Sequence, residues 1–180
     1  MKRIVALSLS VILLISLFAG CKRETANPTP TPTEEPDIVT SASPKESSDP
    51  AEIKAGLSAD GFWIFSILSD VTLDEALYVE GKFFGRDNAA AEPYRKLALY
   101  AQDENRNITA RYTLTVPQMY ITSPGFRIQE GTVAGDVYVD ADGFDLFESH
   151  IEGNLTFATQ EQMDSASFDS DSVTGNISVE

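Results

Sequence analysis

One stretch of this chain gathers acids in a pattern that suits metal chemistry. Asp140-Ala141-Asp142-Gly143-Phe144-Asp145 sets three carboxylates around a glycine, with Glu148 just beyond. Calcium takes six to eight oxygen ligands, and acids spaced around a tight turn can wrap one. The same residues also suit a plain turn, because Asp and Gly favour turn conformations. A calcium site at Asp140, Asp142 and Asp145 is the one cofactor expectation carried forward; otherwise none is expected. His150 is the only histidine and Cys21 the only cysteine, so a zinc site lacks its ligand set. The sequence holds no phosphate-cradling glycine loop and no Gly-x-Ser-x-Gly elbow. A polysaccharide lyase needs a base beside its acids, yet Ile128 to Glu180 contains neither Lys nor Arg. The chain reads as a non-enzyme.

A second candidate is aromatic. Phe62-Trp63-Ile64-Phe65-Ser66-Ile67-Leu68 is the most apolar stretch after residue 50. Exposed, Phe62 and Trp63 would offer ring faces to a sugar or a partner. Buried, the stretch would cover an open end of a sheet, whose unpaired backbone otherwise attracts other strands.

Cys21 is the third candidate, and its chemistry is covalent. Lys2 and Arg3 precede an uncharged, largely apolar run from Ile4 to Phe18. That run falls short of the ~20 residues needed to span a bilayer, and its layout is that of a secretory leader. It ends in Leu17-Phe18-Ala19-Gly20-Cys21, where small residues let the chain lie extended beside a thiol nucleophile. This segment resembles the lipobox of bacterial lipoproteins. The resemblance implies cleavage before Cys21, acylation of its thiol (a palmitate-labelled lipoprotein) and residence at the extracytoplasmic face of a cell membrane. Loss of Lys2 and Arg3 would take the formal charge from −15 to −17.

The elements that would carry these sites divide simply. Residues 1–20 read as the signal peptide. Residues 21–50, with Asn27-Pro28-Thr29-Pro30-Thr31-Pro32 and Ser47-Ser48-Asp49-Pro50, read as a disordered stalk, being too poor in apolar side chains to offset the entropy of ordering. Residues 51–180 suffice for one core. Within them 51–76 is expected as an apolar N-terminal cap and 77–180 as a repeat domain. The segment from Ile128 to Glu180 carries twelve acids and no base, a field that repels nucleic acid and attracts cations or basic partners.

The repeat is visible directly. Gly125–Val139 aligns with Gly143–Phe157 without a gap at an offset of eighteen, and Ser165–Val179 gives a third copy. Phe126, Phe144 and Ala166 share a column, as do Ile128, Leu146 and Phe168. Val133, Ile151 and Val173 share another, then Gly135, Gly153 and Gly175, then Asp136, Asn154 and Asn176. Apolar residues two apart are strand periodicity with one face buried. The glycine column suits a tight corner, and stacked Asp/Asn side chains suit a hydrogen-bonded ladder. Upstream, Leu114 and Val116 are expected beneath Asp136–Val139, and Leu77/Val79 and Leu97/Leu99 alternate likewise. Such a repeat predicts an all-β fold, a short parallel β-helix of about five coils stacked one on another; an antiparallel sandwich is the competing reading. The Val/Ile-x-Gly-Asp/Asn-Val/Leu/Ile pattern resembles the coils of bactofilin-type, polymer-forming proteins, and Gly61–Glu180 resembles uncharacterised β-helix lipoproteins of Firmicutes.

The expected function is a lipid-anchored cell-surface structural, adhesive or protein-interaction module, with a polysaccharide- or calcium-binding surface module as the alternative. Expected partners are the membrane, through the lipid, and a cell-wall polysaccharide or protein. Weak self-association through the C-terminal coil is also expected; nucleic acid is not.

Overall fold

The structure, a computed structural model, describes residues 45–84 and 92–180. The expected signal peptide, Cys21 and the stalk before Lys45 lie outside the described residues.

In chain order the elements are β1 (Lys45–Glu46), α1 (Pro50–Leu57), β2 (Ile64–Ser66), β3 (Val71–Thr72), β4 (Leu77–Val79), β5 (Arg95–Ala98), β6 (Tyr100–Gln102) and β7 (Ile108–Arg111). They continue as β8 (Thr113–Ile121), β9 (Phe126–Gln129), β10 (Thr132–Val139), β11 (Asp145–Phe147), β12 (His150–Glu152), β13 (Leu155–Phe157), α2 (Gln160–Ser165) and β14 (Ile177–Val179), with a 3-10 turn at Ser170–Ser172. The described chain is mostly β. Two parallel sheets carry it, one in the order β1-β2-β5-β9-β11 and one in the order β14-β13-β10-β8-β3, with β12 also on β10 and β4 on β8. The antiparallel exceptions are the β6–β7 hairpin and the Phe84–Pro93 bridge.

The repeat columns are the registers of these sheets. Ile128 pairs with Leu146, Val133 with Ile151, Val137 with Leu155 and Leu155 with Ile177. Each apolar column points into one core shared by both sheets, where Leu97, Ile128, Val133, Ile151 and Leu155 have no exposed surface. Phe144 from the first-sheet side meets Phe157 of the second edge-on at 6.3 Å. A parallel sheet must cover its inner face, and here each sheet covers the other.

Three expectations about layout are corrected. The ordered chain starts before residue 51, because Lys45 and Glu46 pair in parallel with Phe65 and Ser66. The 51–76 segment is only partly a cap. Helix α1 does the capping, with Ile53 and Leu57 fully buried, but β2 and β3 are rungs of the sheets, paired with β5 and β8. The run Ile64–Ile67 reads as a continuous apolar stretch because both faces of it are buried. Third, Leu114 lies beneath Val133 rather than Val137, whose partner is Met119. The register shifts where two residues, Val116 and Pro117, face the single residue Gly135, a bulge that lets proline, which has no N–H, sit inside a long strand.

The glycine column also plays a different part from the expected corner. A side chain at Gly153 would run into the Gly135 carbonyl, and one at Gly175 into the Gly153 carbonyl. These glycines therefore permit close backbone approach between rungs. Within the column only Gly135 takes a positive φ (154°); the left-handed corners lie elsewhere in the repeat, at Gly125 and Gly143 (φ 65° and 73°) and at Glu130 and Glu148 (φ 64° and 49°), each pair eighteen residues apart.

At the N-terminal end α1 is set by its own sequence. Asp49 accepts hydrogen bonds from the N–H groups of Ala51 (2.9 Å) and Glu52 (3.1 Å), and Pro50 fills the first helical position, where no N–H is needed. The far end of α1 is held by Arg95, which has no exposed surface. Its guanidinium donates to the carbonyls of Gly56 and Ser58 (both 2.9 Å), Phe62 (3.0 Å) and Glu80, and lies 4.1 Å from the Phe83 ring centroid. Burial pushes Arg95 down to about 10, so it stays cationic at neutral pH.

Candidate functional site

Outward-facing positions of the second sheet alternate with the core columns. Leu77-Tyr78-Val79, Met119-Tyr120-Ile121 and Val137-Tyr138-Val139 are in register, so burying the flanking residues turns three tyrosines to the outside in one row. Thr156 and Ser178 continue the row on the last two rungs. Tyr78 stacks on Tyr120 with centroids 5.1 Å apart and planes at 12°. Tyr138 breaks that stack, tilted 60° to Tyr120 at 5.9 Å. Its hydroxyl donates to the Glu180 carboxylate at 2.8 Å, an interaction that holds the Tyr138 phenol above its ordinary range.

Two positions earlier on the last three rungs runs a polar row. Asp136 Oδ1 accepts from the Asn154 backbone N–H (2.8 Å) and from its side-chain amide (3.0 Å), and Asn154 Oδ1 accepts from the Asn176 N–H (3.0 Å). This is the Asp/Asn ladder suggested by the repeat. Between the two rows, on the C-terminal rungs, a cleft of about 710 Å³ opens. Its floor includes Thr156 and Ser178, whose hydroxyls are 3.3 Å apart.

The sites expected from sequence fall elsewhere. Phe62 is 45% exposed, while Trp63 is half-buried and tilted on Tyr94 with centroids 6.2 Å apart. The acids of the candidate calcium site are not gathered. Asp145 is bound by Arg127, Nη2 to Oδ2 at 2.6 Å. Asp140 accepts from the Gln162 amide at 2.8 Å, and Asp142 accepts through its backbone carbonyl from Gly125. Among the described residues no group of three or more His, Cys, Asp or Glu is placed to hold a metal ion. His150 is exposed on β12.

The outer face of the first sheet has its own character. Lys96, Arg127 and Asp145 share a column. Arg127 lies 4.8 Å from the Phe147 ring and 5.9 Å from that of Tyr94. Burial and the Arg127 charge push Lys96 below the usual lysine range. Beside this face a cleft of about 520 Å³ is lined by Arg111, Phe147, His150 and Phe168 among others. Two of its charges are paired, Arg111 Nη2 lying 2.7 Å from Glu130 and Asp145 being held by Arg127, while Glu148 and Asp169 also line it.

The tyrosine row escapes a search for reactive side chains. Its signal is the apolar-Tyr-apolar triplet at Leu77–Val79, Met119–Ile121 and Val137–Val139, which becomes a row only once the register is known. Comparison with known proteins finds no matching family model, no matching curated protein and no matching solved structure.

Proposed function

We propose that this chain is a recognition module displayed at a bacterial cell surface, anchored by a lipid on Cys21 and held off the membrane by the proline-rich segment before the fold. In this reading the two parallel sheets are faces of a short parallel β-helix. Support for the β-helix comes from the eighteen-residue register, which recurs in both sheets, and from β2, β9 and β11 of the first sheet each being followed directly along the chain by a strand of the second.

The observation that carries the recognition role is the in-register row Tyr78–Tyr120–Tyr138 beside the Asp136–Asn154–Asn176 ladder. Aromatic and amide groups make adaptable contacts with partners at little entropy cost when their backbone is rigid. The backbone beneath them is backed by fully buried Leu77, Met119, Val137 and Leu155. Structural and adhesive roles both use such a fixed face.

Metabolic labelling with palmitate and protease treatment of spheroplasts test this reading. The expected result is label that Cys21→Ser removes, and a folded part open to protease from outside. A Cys21→Ser chain that still labels, or a fold protected from external protease, would overturn it.

A further inference from the structure

We infer that the cleft between the tyrosine row and the Asp/Asn ladder is a binding site for a hydroxyl-rich, uncharged or amine-bearing glycan, with one sugar ring stacked against Tyr138. This assignment deepens the surface-recognition reading and rests on it.

The geometry of Tyr138 points first to a sugar. On the N-terminal side its neighbour in the row is another tyrosine. On the C-terminal side the neighbours are Thr156 and then Ser178, in register on the next two rungs. Neither is large enough to cover an aromatic ring. The row therefore steps from wall to floor at Tyr138, and the cleft lies over that step. An aromatic face carries partial negative charge and attracts the weakly positive C–H groups on one face of a pyranose. Tyr138 is also fixed in place, because its hydroxyl is bound to Glu180.

Groups that would meet the sugar hydroxyls surround this step. Asp136 spends Oδ1 on the ladder and keeps Oδ2 for a ligand. Asn176 ends the ladder, its backbone bonded to Asn154 while its side chain stays exposed. Thr156 and Ser178 add two hydroxyls on the floor. A pocket of ~300–1,000 Å³ with an apolar wall and a few placed polar groups is ordinary for a small ligand, and this one falls within that range.

Charge selects among glycans. Asp136 and Glu180 line the cleft, and from Ile128 onward the sequence contains no Lys or Arg. Sugars bearing carboxylate, sulfate or phosphate would meet like charge. Neutral hydroxyls accept and donate freely there, and an amine would be attracted.

The test uses the full chain in a sugar-free detergent, with calorimetric titration against neutral hexasaccharides of glucose, xylose, mannose and N-acetylglucosamine, a glucosamine hexasaccharide, and an oligogalacturonate as the anionic probe. At least one neutral or amine-bearing probe is expected to bind and the oligogalacturonate is not. Tyr138→Ala should weaken binding by about tenfold or more, a change of ~1.4 kcal/mol. Tyr138→Phe keeps the ring face and should stay within about threefold of the parent. Thr156→Trp fills the floor and should abolish binding while leaving the melting temperature close to that of the parent. No binding to any neutral or amine-bearing probe, binding confined to the oligogalacturonate, or Tyr138→Ala and Thr156→Trp chains that bind like the parent would overturn the assignment. Palmitate labelling is independent of all these outcomes, so a failed titration with an intact lipid anchor rejects the glycan and leaves surface display standing.

Discussion

Arg95 Nη2 donates to the Gly56 carbonyl at 2.9 Å across thirty-nine residues of sequence. One side chain thereby joins the end of the capping helix to the first residue of a sheet strand. Helix ends leave carbonyls without intrahelical partners, and here the Gly56 and Ser58 carbonyls accept both from backbone N–H groups of Phe62 and Gly61 and from a buried cation. The closed N-terminal end of the stack depends on that residue.

Arg95→Met is accordingly expected to cost about 2 kcal/mol or more, since it leaves the Phe62 and Glu80 carbonyls without a donor and each acceptor left unpaired costs ~1–3 kcal/mol. Arg95→Lys keeps the charge without the planar fork and should lose a similar share. Urea unfolding gives the cost, and amide exchange should show α1 opening before the sheets. An exchange pattern unchanged in α1 would contradict the role.

Leu155 is fully buried between Val137 and Ile177. Leu155→Ala should destabilise by ~2–5 kcal/mol. Thr156→Ala, one residue on and facing outward, should stay within ~0.5 kcal/mol. Equal losses at the two positions would mean that the alternation of inward and outward residues is wrong there.

Gly153→Ala probes the spacing between rungs. The added methyl would meet the Gly135 carbonyl, and the rungs would have to separate. Overpacking of this kind costs ~1–3 kcal/mol, whereas alanine would otherwise help by stiffening the unfolded chain. A stability gain in thermal unfolding would show that the rungs are not in this close contact.

Calcium offers a sharp test of the acids. Asp145 is held by Arg127, Asp140 by Gln162, and no metal-binding group is assembled among the described residues. A ligand that binds only the native state raises its stability, so millimolar calcium is expected to leave the melting temperature unchanged. A rise that Asp142→Asn removes would place calcium at these acids.

Self-association is expected through β14. α1 covers the N-terminal end, while β14 pairs with β13 alone in the sheet order and presents an open edge. The acids around that edge repel a second copy, and salt near 1 M shortens the screening length to ~3 Å. Sedimentation of the chain should therefore show association that grows with salt and is suppressed by Ile177→Pro, which removes a backbone donor. A monomer at every salt concentration would exclude this contact.

Repetition made part of this fold legible without coordinates. Val133, Ile151 and Val173 share a column because stacked rungs need apolar residues at matching positions, and the same need places Asn154 over Asp136. Asp49-Pro50 starts a helix, yet in the sequence it reads as the tail of the Ser/Pro-rich stalk, because nothing local shows that Ile53 and Leu57 are buried. The inward place of Arg95 is not legible, since a charged residue beside Leu97 and Leu99 reads as solvent-facing until four distant carbonyls are brought around it. The bulge at Val116-Pro117 is hidden likewise, because register depends on which strand lies opposite. The acids at 140–145 are neighbours in sequence, but Arg127 and Gln162 are not, and those long-range partners decide where the carboxylates turn. The tyrosines lie forty-two and eighteen residues apart, and only the stacking of rungs, set by burial of their flanking apolar residues, brings their rings to within 5.1 and 5.9 Å.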